Sequence, residues 1–282
     1  MKVLVTGAYG MLGRDFCYLL KNQGFSIWEW DLPDHDITNV NKIISDIVDL
    51  KPDIVCHLAA YTDVDNAEKE TGRAFMVNVQ GTWAIANACF QIDIPLLFIS
   101  SDYVFDGTKN TPYDENDQAN PINYYGKTKY LGEEVIRSHL NKYFIVRTSW
   151  LFGKHGRNFV RTIIDLSCKR DKISVVNDQI GSPTYTKDLS EALLNLLTST
   201  HYGIYHITNS GACSWYEFAN EIKRLARLSV EILPISSADL NRLAKRPAYS
   251  VLDNKRYKKQ FGKTLRPWQE ALKTFLSELN YG

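Results

Sequence analysis

At 282 residues the chain has room for one large domain or two modest ones sharing an interface. Hydrophobic residues make up 44%, charged residues 23% and aromatic residues 12%, a globular composition that excludes a disordered, collagenous or coiled-coil protein. Lys and Arg total 33 against 32 Asp and Glu, a net charge of +1 that supplies no bulk attraction for nucleic acid or an anionic membrane, so neither is an expected partner.

Lys2 to Val5 is a β-branched and aliphatic run that reads as a strand, ended by a glycine-rich turn. A helical period follows from about Met11 to Lys21, closed by Gly24. Ser26 to Trp30 reads as a second strand, Val40 to Leu50 as a helix and Asp53 to Leu58 as a third, apolar strand. Arg73 to Phe90 predicts one helix, Pro95 to Ile99 a fourth strand, Tyr125 to His139 a helix and Tyr143 to Arg147 a fifth strand. Strands apolar on both faces and alternating with helices predict an α/β fold, a doubly wound parallel (Rossmann) sheet covered on both sides. After Trp150 the rhythm loosens. Helices are expected at Phe159–Ser167, Leu189–Leu197, Trp215–Ala226 and Trp268–Leu279, with strands at Ile173–Val176 and Gly203–Ile207. Residues 229–266, with Pro234 and Pro247, read as part of a smaller, loop-rich lobe.

Five cysteines lie far apart with no Cys-x-x-Cys, which argues against a disulfide framework or structural zinc and for a reducing compartment. The first apolar run is too short for a signal peptide, and no 18 apolar residues run together, so the expected location is the cytoplasm. No His/Cys/Asp/Glu spacing suggests a metal.

The first strand ends in Thr6-Gly7-Ala8-Tyr9-Gly10-Met11-Leu12-Gly13. Glycines let a backbone turn sharply and approach a pyrophosphate, which the N–H groups at the start of the next helix then bind. Asp31 ends the second strand 18 residues after Gly13, where a carboxylate can hold ribose hydroxyls. Asp36 and Ile37 are candidates to close over an adenine ring, and Ala59-Ala60-Tyr61 for close passage of a cofactor. The fourth strand ends in Ser100-Ser101-Asp102-Tyr103, and Tyr125-Gly126-Lys127-Thr128-Lys129 follows. Tyr125 and Lys129 are i and i+4, so a helix puts both on one face. An ammonium beside a phenol favours the phenolate, and the expectation is that Lys129 brings the Tyr125 pKa down toward neutrality. His57, inside an apolar strand, reads as a packed core histidine.

Taken together, Thr-Gly-x-x-Gly-x-x-Gly, a serine on the fourth strand and Tyr-x-x-x-Lys resemble the extended short-chain dehydrogenases/reductases. Ser101 to Gly107, Tyr125 to Lys129, Arg147-Thr148-Ser149-Trp150, Asn177-Asp178-Gln179, Gly181 to Thr184 and Arg246 to Ser250 resemble the dTDP-4-dehydrorhamnose reductase family within them. The resemblance runs from Met1 nearly to the C-terminus; Ser101 stands where that family more often has threonine. It implies an NAD(P)-binding domain over 1–150, its sheet completed by parts of 173–210, and a substrate-binding lobe mostly in 151–282, interleaved with it.

It further implies NADPH or NADH as cofactor, a dTDP-linked 4-keto sugar as substrate and a monomer or homodimer. Tyr125 would be the proton donor, Lys129 the ribose-holding cation and Ser101 the alkoxide's hydrogen-bond donor, with Ser101, Asp102 and Trp150 touching the sugar nucleotide. Gly7, Gly10, Met11, Leu12, Gly13, Asp31, Asp36, Ile37, Ala59, Ala60 and Tyr61 would join Tyr125 and Lys129 around the cofactor. Two alternatives stay open. A sugar-nucleotide epimerase or dehydratase shares the scaffold, although dehydratases carry an Asp-Glu pair where Asp102-Tyr103 stands. A non-catalytic subunit resembling the regulatory subunit of methionine adenosyltransferase keeps much of the Tyr-Gly-Lys-Thr-Lys region, but Trp150 fits the reductase branch better.

Overall fold

The computed structural model describes residues 1–281. Its strands are β1 (Lys2–Thr6), β2 (Ser26–Trp30), β3 (Ile54–His57), β4 (Leu96–Ser101), β5 (Tyr143–Thr148) and β6 (Leu151–Phe152), then β7 (Lys172–Val176), β8 (Ile180–Gly181), β9 (Thr184–Tyr185), β10 (Gly203–His206), β11 (Cys213–Ser214) and β12 (Glu231–Ile235). Its α-helices are α1 (Met11–Asn22), α2 (Val40–Leu50), α3 (Val64–Ala67), α4 (Thr71–Phe75), α5 (Thr82–Gln91) and α6 (Tyr124–His139), then α7 (Phe159–Ser167), α8 (Thr186–Leu197), α9 (Trp215–Leu225), α10 (Lys255–Phe261) and α11 (Trp268–Glu278).

Six strands form one sheet in the order β10-β5-β4-β3-β1-β2, every neighbouring pair parallel. The chain runs outward from β1 to β2 and then crosses to the other side of β1 for β3. The strand order reverses there, which opens a crevice beyond the carboxyl ends of β1, β3 and β4. Alternate residues of each strand feed two cores, as continuous apolar strands require. Val3, Val5, Cys56 and Leu97 pack with α1 and α8 on one face. Leu4, Val55, Leu96 and Phe98 pack with α2, α5 and α6 on the other.

A third core joins Phe152, Ile163, Ile173, Phe218, Ile232, Trp268 and Phe275 from α7, α9, α11 and the parallel β7–β12 ribbon. The strand β12 lies inside the segment expected to be loop. Pro234 sits within it opposite Val175, and proline is tolerated there because a two-stranded ribbon consists of edges that need no inner donor. The helix expected over Arg73–Phe90 is in fact α4, a π turn over Met76–Gly81, and α5. At the π turn the Asn78 side chain binds both the N–H and the C=O of Tyr61, at 2.8 and 3.1 Å, and so holds the loop after β3 against the helix.

Candidate active site

The crevice is a cleft of about 600 Å³ bounded by the loops after β1 to β5 and by the start of α9. Gly7 takes a left-handed φ of +69°, and a Cβ there would fall 2.5 Å from Ala59 N, so only glycine lets the ends of β1 and β3 meet. A Cβ on Gly13 would run into the Gly7 carbonyl. Between these contacts the first turn of α1 opens onto the cleft, with Gly10, Met11, Leu12 and Gly13 on its wall. An α-helix leaves its first N–H groups without partners, which makes this an anion site.

Asp31 faces the same cleft, its two carboxylate oxygens accepting the amides of Tyr9 and Leu32 at 2.8 Å each. Asp36, Ile37, Ala59 and Ala60 also line it. Tyr61 does not: its hydroxyl donates to Glu70 at 3.0 Å and Arg73 lies over its ring, so Thr62 takes the place expected for it. Spacing places Tyr61 beside the cofactor but says nothing of the surface ion pair that turns it away.

Ser101, Asp102, Tyr125 and Lys129 meet at the cleft floor. The start of α6 is fixed by Asn123, whose side chain accepts the Gly126 N–H at 2.7 Å, so Tyr125 and Lys129 leave successive turns on one face. The Ser101 hydroxyl lies beside Tyr125 and favours its phenolate. Burial pushes the Tyr125 pKa up to about 12, against the Ser101 hydrogen bond, and the nearby Asp102 charge pushes the same way. Lys129 is itself held at about 7 by burial, against the pull of Glu133, and its ammonium lies 4.1 Å from the Phe98 ring centroid. The expectation that Lys129 makes Tyr125 acidic is therefore corrected. Desolvation dominates both groups, and it leaves Tyr125 a phenol with a proton to give.

Asp102 is 2% exposed, and its oxygens are taken by the hydroxyls of Ser101 at 3.0 Å and Ser250 at 2.6 Å. Trp150 adopts φ +48° and stacks on Trp215 with ring centroids 3.5 Å apart and planes within 7°. Gly181 backs it so closely that a Cβ there would fall 2.5 Å from the indole. With Trp215 stacked on it and Gly181 against its indole, Trp150 offers a ligand its edge. His57 is buried between the hydroxyls of Thr6 and Thr82 at 2.7 and 3.1 Å, with its pKa lowered to about 3 by burial and by Lys129, as a core histidine should be.

Several wall residues escaped the sequence reading. Trp215 comes from α9, and its signal was the capping box Ser214–Glu217, which marks a helix start but not its location in the fold. Thr148 Oγ1 and His35 Nδ1 are buried on the wall with no hydrogen-bond partner, and His35 stacks on Trp30 at 4.3 Å. Leaving such atoms unpaired costs about 1–3 kcal/mol each, so the site is built to be completed by a polar ligand. Glycine cradle, helix terminus, cleft-facing carboxylate and orphaned polar atoms together fit a dinucleotide.

Comparison with known proteins agrees. The sequence model of a family described as "RmlD substrate binding domain" matches residues 1–281. A Bacillus subtilis protein named spore coat polysaccharide biosynthesis protein SpsK is 42% identical over 98% of this chain and 97% of its own. A dTDP-4-dehydrorhamnose reductase from Aggregatibacter actinomycetemcomitans is 41% identical over 96% and 97%. The crystal structure of a dTDP-4-dehydrorhamnose reductase from Bacillus anthracis in complex with NADP superposes with a TM-score of 0.96 at 42% identity, covering 98% of this chain and 99% of that one. A UDP-glucose 4-epimerase from Thermus thermophilus has a TM-score of 0.87 over 99% of each chain at 19% identity, a likeness of fold alone.

Proposed function

The chain belongs to the RmlD family, whose dTDP-4-dehydrorhamnose reductases it matches end to end, and from this premise we propose that it is an NAD(P)H-dependent oxidoreductase acting on the C4 ketone of a dTDP-linked deoxysugar. The substrate that fits best is dTDP-4-dehydro-6-deoxy-L-mannose, giving dTDP-L-rhamnose for cell-surface polysaccharide. The observation that carries this reading is the meeting of Ser101, Tyr125 and Lys129 at the floor of a cleft whose wall is the Gly7–Gly13 turn. In this reading Gly7 to Gly13 and Asp31 hold the cofactor, which supplies hydride when bound. Lys129 binds its nicotinamide ribose. Tyr125, kept protonated by burial, gives its proton to the C4 oxygen, and Ser101 steadies the charge that develops there. The lobe that lies mostly in 151–282 contributes Trp215 to the sugar-nucleotide side, beside Trp150. The protein would work as a monomer or homodimer in the cytoplasm; among the described residues no helix is long and apolar enough to cross a membrane.

The dehydratase alternative needs a second carboxylate after Asp102, and Tyr103 stands there with its ring edge-on to Tyr125 at 5.9 Å. Following absorbance at the nicotinamide band with the dTDP-4-keto sugar tests the proposal. One cofactor should be oxidised per sugar reduced, whereas turnover with no net oxidation would point to an epimerase or dehydratase.

A further inference from the structure

Ser101 has one proton and three neighbours competing for its oxygen. Its Oγ donates to Asp102 Oδ1 at 3.0 Å and accepts the Tyr103 amide at 3.1 Å, and it lies beside the Tyr125 hydroxyl at the cleft floor. A hydroxyl has one hydrogen and two lone pairs. With Asp102 ionised, the Ser101 proton points at the carboxylate and Tyr125 must be the donor toward Ser101. Neither proton then points at a substrate oxygen. With Asp102 protonated the chain of hydrogen bonds reverses: the carboxyl donates to Ser101, and Ser101 donates toward Tyr125 or the substrate. One proton on Asp102 thus sets the direction of both hydroxyls.

The surroundings suit a carboxyl that holds a proton. Asp102 is 2% exposed, and its second oxygen accepts Ser250 Oγ at 2.6 Å from a segment 148 residues away. Ser250 is in turn fixed by its N–H donating to Ile180 O at 2.8 Å. The titratable groups facing Asp102 are Tyr103 from its own turn and Tyr125 from α6, with Lys129 from the next turn of α6 on the same cleft floor. Arg246 reaches Tyr103, but its guanidinium is committed to Asp65 at 2.9 and 3.0 Å. Burial raises the Asp102 carboxyl to about 7, against the hydrogen bonds from Ser250 and Ser101.

We propose that Asp102 holds the proton that restores Tyr125 through Ser101, and that Ser250 positions the carboxyl for that transfer. The inference rests on the reductase reading above. Once hydride has reached C4, its two electrons reduce that carbon and leave an alkoxide. The Tyr125 O–H bond breaks and its proton bonds to that oxygen. Tyr125 takes the Ser101 proton, and Ser101 takes the proton of Asp102. One O–H bond forms on the sugar, one breaks on Asp102, and water reprotonates the carboxylate after product leaves.

The test combines pH profiles of kcat and KM for the wild type, Ser250→Ala and Asp102→Asn with ¹³C NMR titration of carboxyl-labelled aspartate in the ligand-free protein. Wild-type kcat should fall above about pH 7, where Asp102 and Lys129 both lose a proton, and the Asp102 signal, which reports the carboxyl alone, should titrate over the same range. Ser250→Ala removes a hydrogen bond that favours the carboxylate, so it should move both midpoints up by about one unit while KM changes little. Asp102→Asn should lower kcat at least about tenfold and remove the Asp102 share of that limb, leaving the loss of one proton from Lys129. If Asp102→Asn does not fold, Ser250→Ala and the titration decide. A midpoint unmoved in Ser250→Ala, a carboxyl titrating below pH 5, or a variant that raises KM alone would overturn the relay. Absence of any wild-type turnover would instead break the reductase reading, and the titration of the ligand-free carboxyl would stand apart from it.

Discussion

Tyr125 shows how far spacing reaches. The i, i+4 pairing with Lys129 was legible because a helix fixes it. The sign of the pKa shift was not, because it depends on how completely the fold removes water, and burial pushes Tyr125 up to about 12. Tyr125→Phe should therefore lower kcat about 10²–10⁴-fold with an unchanged circular dichroism spectrum and melting temperature; near wild-type turnover would remove Tyr125 from the reaction. Asp31 was equally legible as a strand-end carboxylate. Its engagement with the Tyr9 amide was not, and neither was Arg14, whose Nε donates to Tyr9 O at 3.1 Å and brings a cation near. We expect both cofactors to serve, with NADH not disfavoured by more than about tenfold, and Asp31→Ala to move the kcat/KM ratio toward NADPH. A strong NADPH preference unchanged in Asp31→Ala would show that this carboxylate does not govern the choice. Ser250 and Thr148 were legible only as parts of motifs, since the contacts that place them at the site come from across the fold.

At the scale of elements, β4, β5 and α6 act as one unit that sets the side chains of the proposed catalytic group. Arg147 on β5 grips Glu133 on α6 at 2.6 Å, and Ser100 on β4 donates to the same carboxylate at 2.5 Å, all three nearly inaccessible. Glu133 lies one turn beyond Lys129, so this pair fixes the helix beneath the active-site lysine. Arg147→Met should destabilise the protein by about 3–5 kcal/mol in urea unfolding, because Glu133 would be left charged without its partner. A loss under 1 kcal/mol would mean that the site is held otherwise. The five strands up to Thr148 and the helices α1, α2 and α6 followed from apolar periodicity, which the two-sided sheet imposes, whereas the short α3 did not. The π turn at Met76–Gly81 did not, since one extra residue per turn barely disturbs that pattern. Nor did β12 or α10. Pro234 made the first look like loop, and the second is a seven-residue Lys- and Arg-rich helix that buries little besides Tyr257.

Across the whole molecule, stability is set against chemistry at two buried ionisable groups. Lys129 is held at about 7, so between roughly pH 7 and 10 the unfolded chain carries a proton that the native state lacks. Its burial thus weighs on the fold most below pH 7, and the penalty is relieved as pH rises through that window. Lys129→Met should raise the ligand-free melting temperature most below pH 7, with the gain shrinking toward pH 10; a gain independent of pH would contradict this. Asp102 has the opposite slope. Its folded pKa of about 7 means that the native state keeps a proton that the unfolded chain releases, and stability falls between about pH 4 and 7. Both groups meet where the strand order reverses, the place that the sheet pattern predicts for a ligand before any side chain is positioned. The most direct test of the central claim is to run the reaction with NADPH carrying deuterium at the transferable C4 position and to locate the label in the sugar. The account predicts one deuterium at C4 of the product sugar for every cofactor oxidised. A product without deuterium at C4, or a rearranged sugar formed with no net oxidation of cofactor, would contradict it.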